Sequence, residues 1–150
     1  MQAKNGQSPD VALGKALETN PEESFAFMDA KRSSLLLEAG WTYCYAGNQT
    51  KALEILAKRV DPETLKPRLA QSAMGQVETI NVMTLSSLRT KDRDMEKIIH
   101  FWRAGMEGAK TLQNEQRFNE ALTNYELMEV VWPGERRITD LRDHIVHWEE

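Results

Sequence analysis

The stretch Gly47-Asn48-Gln49-Thr50-Lys51-Ala52-Leu53-Glu54-Ile55-Leu56, followed by Asp61-Pro62, decides how this chain folds, because it returns in altered form between Asn114 and Pro133. In the first copy Gly40, Tyr43, Ala52 and Leu56 alternate small and large residues at helical spacing; in the second, Ala109, Leu112, Phe118, Ala121, Tyr125 and Met128 do so. Small residues at these points carry a physical meaning. Two helices approach to about 8 Å only where one presents Gly or Ala to a bulky side chain of the other. A recurrence of this kind predicts helical hairpins that stack on one another.

The small, large and turn positions resemble those of the tetratricopeptide repeat, closing in each copy at a proline, Pro62 or Pro133. At 150 residues the chain has room for a short solenoid of about four units of roughly 34 residues. From Asp29 to Ala46, Leu36, Ala39, Gly40 and Tyr43 follow helical spacing, and Gly47-Asn48 supplies the residues a left-handed cap prefers. A second helix is expected over about 49–59. A third begins near Pro67 and carries Leu69, Ala73, Val77, Ile80, Thr84 and Leu88; a fourth, capped by an aspartate of the cluster Thr90 to Asp94, runs to about Leu112. The fifth spans about 116–131, Trp132-Pro133-Gly134 turns sharply, and the sixth spans about 135–148.

No segment alternates β-branched residues between turn signals. The expected fold is all-α: tetratricopeptide-like hairpins, six to seven helices in all, stacked in a short right-handed superhelix. Residues 9–150 are expected to form this one domain, with a further helix from Pro9 to about Glu18, and residues 1–8 to be a disordered or expression-derived tail. The register leaves the third helix without a hairpin partner of its own. Either the fourth helix serves two units, or the third is an irregular insertion.

Nineteen Lys and Arg stand against 23 Asp and Glu, a net charge of -4, and no basic run gathers in one segment. Nucleic-acid affinity rests on phosphate neutralisation, so no direct nucleic-acid contact is expected from this chain. Hydrophobic residues make up 41% and charged residues 28%, the balance of a chain that buries a core. The longest aliphatic run is Leu35-Leu36-Leu37, far below the roughly 20 residues a membrane helix needs. With one cysteine, Cys44, and a polar start, a reducing cytoplasmic setting is expected.

From about Glu23 to Glu150 the chain resembles the C-terminal tetratricopeptide sensor region of bacterial helix-turn-helix transcriptional regulators of the Cro/repressor type. The resemblance rests on Ala39-Gly40 with Gly47, on Asp61-Pro62-Glu63-Thr64-Leu65, and on Lys91-Asp92-Arg93-Asp94-Met95-Glu96. Above all it rests on Gly105-Met106-Glu107-Gly108-Ala109, Glu115 to Leu122, Trp132-Pro133-Gly134-Glu135-Arg136-Arg137 and Leu141-Arg142-Asp143. It implies a superhelix whose concave face binds a peptide or small signal molecule and passes occupancy to an N-terminal DNA-binding domain. No segment with a recognition helix precedes Pro9, so the chain is expected to be a separated sensor half.

Catalytic signatures are missing: there is no glycine-rich phosphate loop, no His-Glu-x-x-His pair and no Gly-x-Ser-x-Gly turn. His144 and His147 share a face with Asp140 and Glu150 within a turn, yet histidines near a helix C-terminus also serve its negative end, and no metal site is expected. His100 pairs with Glu96 at surface spacing, and Cys44 among aromatics is expected to be a buried thiol. Catalytic residues and cofactors are therefore expected to be none.

What remains is a stripe on the first helix, Ser34, Leu37, Trp41 and Tyr45, beside its packing stripe, with a matching stripe Glu78, Asn81, Leu85 and Arg89 on the third. Aromatic anchors beside a few polar groups suit a groove for an extended peptide or a small amphipathic ligand. The competing reading is that Trp41 and Tyr45 complete the core against the N-terminal helix. The expected function is a non-enzymatic ligand- or peptide-binding sensor or interaction domain, its partners a peptide, a small signal molecule or a protein, a homodimer included, and no membrane. Two alternatives are an adaptor or co-chaperone tetratricopeptide module that takes an acidic peptide, and an all-α enzyme with an unfamiliar site.

Overall fold

A computed structural model describes the backbone of residues 21–149 and the side chains of residues 27–145. The expectations for a tail over 1–8 and a helix from Pro9 to Glu18 lie outside the described residues.

The protein is all-α. Helices are α1 (Pro21–Tyr45), α2 (Gln49–Leu56), α3 (Ala73–Arg89), α4 (Met95–Thr111), α5 (Glu115–Val131), the four-residue α6 (Arg136–Thr139) and α7 (Arg142–Glu149). Among the described residues the sole extended pairing is an isolated antiparallel bridge between Val60 and Pro67.

The two copies of the turn have the same geometry. Gly47 has φ +85° and Gln113 φ +50°, 66 positions apart (113 − 47), and each is followed by an asparagine that caps the next helix. Asn48 N donates to Tyr43 O and Asn114 N to Ala109 O, at 2.9 and 3.0 Å, so each asparagine's amide reaches back five residues to close the outgoing helix. Its side chain then accepts from the first turn of the incoming one, Lys51 N or Arg117 N. Glycine is the economical residue at such a left-handed position, and Gln113 shows that the turn forms without it.

The helices nest where the small residues are. A Cβ on Gly40 would overlap Leu56 Cδ2, and Ala52, Ala109 and Ala121 are fully buried. Two further notches join α3 to α4: a Cβ on Gly105 would overlap Asn81 Oδ1, and one on Gly108 would press on Val77 Cγ2. The pairs 77–108 and 81–105 make α3 and α4 antiparallel, and the bond from Trp102 Nε1 to Ala121 O, 2.8 Å, ties α4 to α5. Across the other direction, Trp41 meets Glu78, Cys44 meets Arg89, and Glu78 meets Arg117. These pairs rise together along the chain, so α1, α3 and α5 run parallel in one layer. Helices α2, α4 and α7 pack behind it, on α1 with α3, on α3 with α5, and on α4 respectively.

The fourth helix thus serves both neighbours, packing on α3 and on α5, and α3 is the central helix of the array. Its residues from Val77 to Leu88 are buried save for Glu78 and Leu85. Buried hydroxyls there are satisfied within the helix: Thr79 Oγ1 donates to Gly75 O and Thr84 Oγ1 to Ile80 O, each at 2.8 Å. Two apolar clusters lie on either side of this helix. One unites Leu88, Trp102, Met106, Phe118, Tyr125, Met128, Ile138 and Leu141; the other unites Cys44, Leu56, Val60, Ile80, Met83 and Phe101. Each fully buried Leu or Met contributes about 1.5–3 kcal/mol.

Several boundaries differ from expectation. Helix α1 starts at Pro21, eight residues before Asp29, because proline is tolerated in a first helical turn. Helix α3 starts at Ala73 rather than near Pro67, capped by Ser72 Oγ at 2.9 Å from Gly75 N, so Leu69 belongs to the connection. Helix α2 ends at Leu56, and 57–72 folds into a hydrogen-bonded loop instead of continuing it. Within that loop Asp61 Oδ1 accepts from Glu63 N and Thr64 N, and these bonds hold its carboxyl below the usual range. The expected sixth helix breaks into α6 and α7 around Asp140-Leu141. Leu112, expected to pack, is 37% exposed at the end of α4, since the left-handed Gln113 turns the chain away.

Candidate functional site

The seam between α1 and α3 brings half of the expected site together. Ser34, Leu37, Trp41 and Glu78 line one cavity of about 440 Å³, with Ser33, Arg59 and Gly75 among the other walls. Trp41 is half-buried, and its Nε1 donates to Glu78 Oε2 at 2.7 Å. Its ring stacks on Tyr45, centroids 5.4 Å apart and planes 14° apart.

Farther along the same seam Tyr45 is 69% exposed, and the Arg89 guanidinium stands 5.9 Å from its ring centroid. Arg89 also donates to Cys44 O at 3.4 Å and lines a second, more open hollow with Ala46 to Thr50 and Thr90 to Asp92. Tyr45 and Arg89 therefore belong to the far end of the seam. The alternative in which Trp41 and Tyr45 complete the core against the N-terminal helix rests on a segment outside the described residues; Trp41 itself is half-buried and Tyr45 exposed.

Asn81 and Leu85 do not line this cavity. Leu85 is half-buried against the cluster around Cys44 and Met83. Asn81 is 2% exposed, and its Nδ2 donates to Arg117 O at 3.0 Å and Glu120 Oε1 at 3.1 Å, while Asn124 Nδ2 donates to its backbone carbonyl at 3.0 Å. It is a strut between α3 and α5. Sequence spacing put Asn81 on the face of Glu78, but the neighbour α5 covers that face from its second turn onward.

Charges meet at this strut. Arg117, 6% exposed, donates to Glu78 Oε1, and its Nε lies 2.9 Å from Glu120 Oε1, an ionic contact rather than an aligned hydrogen bond. Burial raises the Glu120 carboxyl above its usual range; the hydrogen bond from Asn81 and the charge of Arg117 oppose this, and the charge of Glu78 adds to it. Both oxygens of Glu78 are thus engaged, one by the Trp41 indole and one by Arg117.

Sequence reasoning missed Ser33 and Arg59. Ser33 had a signal, since positions 33, 37 and 41 fall four apart and share a face with Leu37 and Trp41. Arg59 had none. It reaches the cavity because its backbone carbonyl accepts from Arg68 N at 2.7 Å and from Gln71 Nε2 at 2.8 Å, bonds that only the folded loop supplies.

The other candidates for chemistry lie apart from one another. Cys44 is fully buried. His100 lies 3.1 Å from Glu63 O on the surface, and His144 meets Trp102 edge-on with centroids 6.1 Å apart. The His147 side chain lies outside the described residues. Among the described residues no group of three His, Cys, Asp or Glu side chains is placed to hold a metal ion, and no helix is long and apolar enough to cross a membrane.

Comparison with protein-family profiles, with curated proteins and with solved structures returns no match to this chain.

Proposed function

We propose that this protein is a non-enzymatic ligand- or peptide-binding sensor domain of the tetratricopeptide type, of the kind joined to bacterial helix-turn-helix regulators. One observation carries the reading: the cavity between α1 and α3 gathers Ser34, Leu37, Trp41 and Glu78, an aromatic anchor among a few fixed polar groups. Parallel α1, α3 and α5 form the layer that a right-handed superhelix would turn to its concave side, with α2, α4 and α7 behind. A ligand held between α1 and α3 favours one spacing of that pair over another. Occupancy then shifts the population of a state felt by a linked domain or a second copy of the chain.

The reading is tested with a pool of short peptides amidated at their C-termini, titrated into the protein while its amide resonances are followed. Binding that perturbs residues of α1 and α3 and weakens about fivefold or more in W41F supports the groove. Saturable binding that maps to α4 through α7 instead, or no response from any peptide or small amphipathic ligand, contradicts it.

A further inference from the structure

Arg59 is 2% exposed, yet among the described residues its Nε and Nη1 have no hydrogen-bond partner, and the Oγ of Ser33, 1% exposed, has none either. Buried N–H and O–H groups without partners are rare, and a buried guanidinium with donors left unpaired is costly. Both residues line the same cavity as Trp41. Among the described residues the one side-chain hydrogen bond to the guanidinium is that of Gln71, whose Oε1 accepts from Nη2 at 2.8 Å.

The guanidinium also lies against the first turn of α3. A Cβ on Gly75 would come 3.2 Å from Arg59 Nη2, so glycine there makes room for a cation at the end of a 17-residue helix whose own partial charge is positive. Two positive ends converge on one hollow. Glu78 stands close enough to oppose the loss of the Arg59 charge on burial, but its oxygens are bonded to Trp41 and Arg117.

We infer that the cavity between α1 and the N-terminal end of α3 binds a carboxylate, held by Arg59 and Ser33, with the apolar body of the ligand along Leu37 and Trp41. This rests on the groove reading and names the chemistry of its ligand. A monoanion fits better than a phosphate dianion, because Glu78 borders the same space and repels a second negative charge. A small organic acid and the C-terminus of a peptide both offer the required group.

Calorimetric titration of the whole chain with butanoate, trialanine, trialanine amide and inorganic phosphate separates these cases. Saturable binding of butanoate or trialanine is expected, with the amide and phosphate at least about tenfold weaker. Replacing Arg59 in R59Q is expected to weaken carboxylate binding about ten- to a hundredfold, and S33A about two- to tenfold. Circular dichroism checks that R59Q is folded; if it is not, S33A decides. Tighter binding of trialanine than of butanoate assigns the site to a peptide terminus, and the reverse to a small acid. The inference is overturned if neither carboxylate saturates, if trialanine and its amide bind alike, or if neither variant that folds changes the affinity. Amidated peptides that still bind in a W41F-sensitive way would leave the groove standing without the carboxylate.

Discussion

The indole Nε1 of Trp41 donates to Glu78 Oε2 at 2.7 Å, joining α1 to α3 through the residue that best suits a ligand anchor. The same carboxylate accepts from Arg117 on α5, so one glutamate ties together all three helices of the front layer. On the proposed function, ligand affinity and helix spacing would be coupled through this carboxylate.

W41F keeps an aromatic ring, smaller than the indole, and removes the donor. It is expected to lower stability by about 1–2 kcal/mol, since a hydrogen bond to a charged acceptor is lost and Glu78 is left with one partner. Urea denaturation followed by circular dichroism measures the change. A loss below about 0.3 kcal/mol would show that the bond adds nothing to the wild-type fold.

Arg117 sits between two carboxylates, and truncating it leaves both in a poorly hydrated place. R117M is expected to cost about 3–5 kcal/mol, and adding E78Q to recover part of that. The denaturation midpoints of the single and double variants check the sign of the coupling. A double variant less stable than R117M would show that Glu78 is not the partner left exposed.

Gly40 faces Leu56 where α1 and α2 touch, so any larger residue must push the helices apart. G40V is expected to lose about 1–3 kcal/mol, and G108V a similar amount against Val77. Thermal unfolding measures both. Wild-type stability in G40V would mean that α1 and α2 do not nest as described.

The fold was largely legible because its signals are local. Gly47-Asn48 and Asn114 mark two turns of the same form, Asp94 caps α4 with its side chain 3.2 Å from Lys97 N, and Gly40, Ala52, Ala109 and Ala121 mark where helices meet. The loop over 57–72 was not legible, since its order comes from contacts among Arg59, Asp61, Arg68 and Gln71 that no periodicity reveals. For that reason Leu69 was expected on α3, and Arg59 at the end of α2 rather than at the site. The site stripes were half legible: spacing finds residues that share a face, but the cover over Asn81 comes from α5, a helix 36 residues away in sequence.

Burial favours the protonated form of Glu120, so its carboxyl binds a proton more tightly in the folded chain than in the unfolded one. Its contribution to stability is therefore largest below the unfolded value of about 4.3 and falls as pH rises through the raised folded value. E120Q removes this titration while keeping an acceptor for Asn81. The stability of wild type minus that of E120Q is expected to decline with rising pH; denaturation series at pH 4 to pH 7 read it, and a difference that grows with pH would reverse the assignment.

The most direct test of the account watches the two indole N–H groups that bond within α1–α3 and α4–α5, through ¹H–¹⁵N spectra recorded during a ligand titration. The Trp41 resonance is expected to shift saturably as ligand enters beside Glu78, while that of Trp102, bonded to Ala121 O inside the core, stays in place. A Trp102 resonance that moves while Trp41 does not would place the ligand elsewhere and contradict the account.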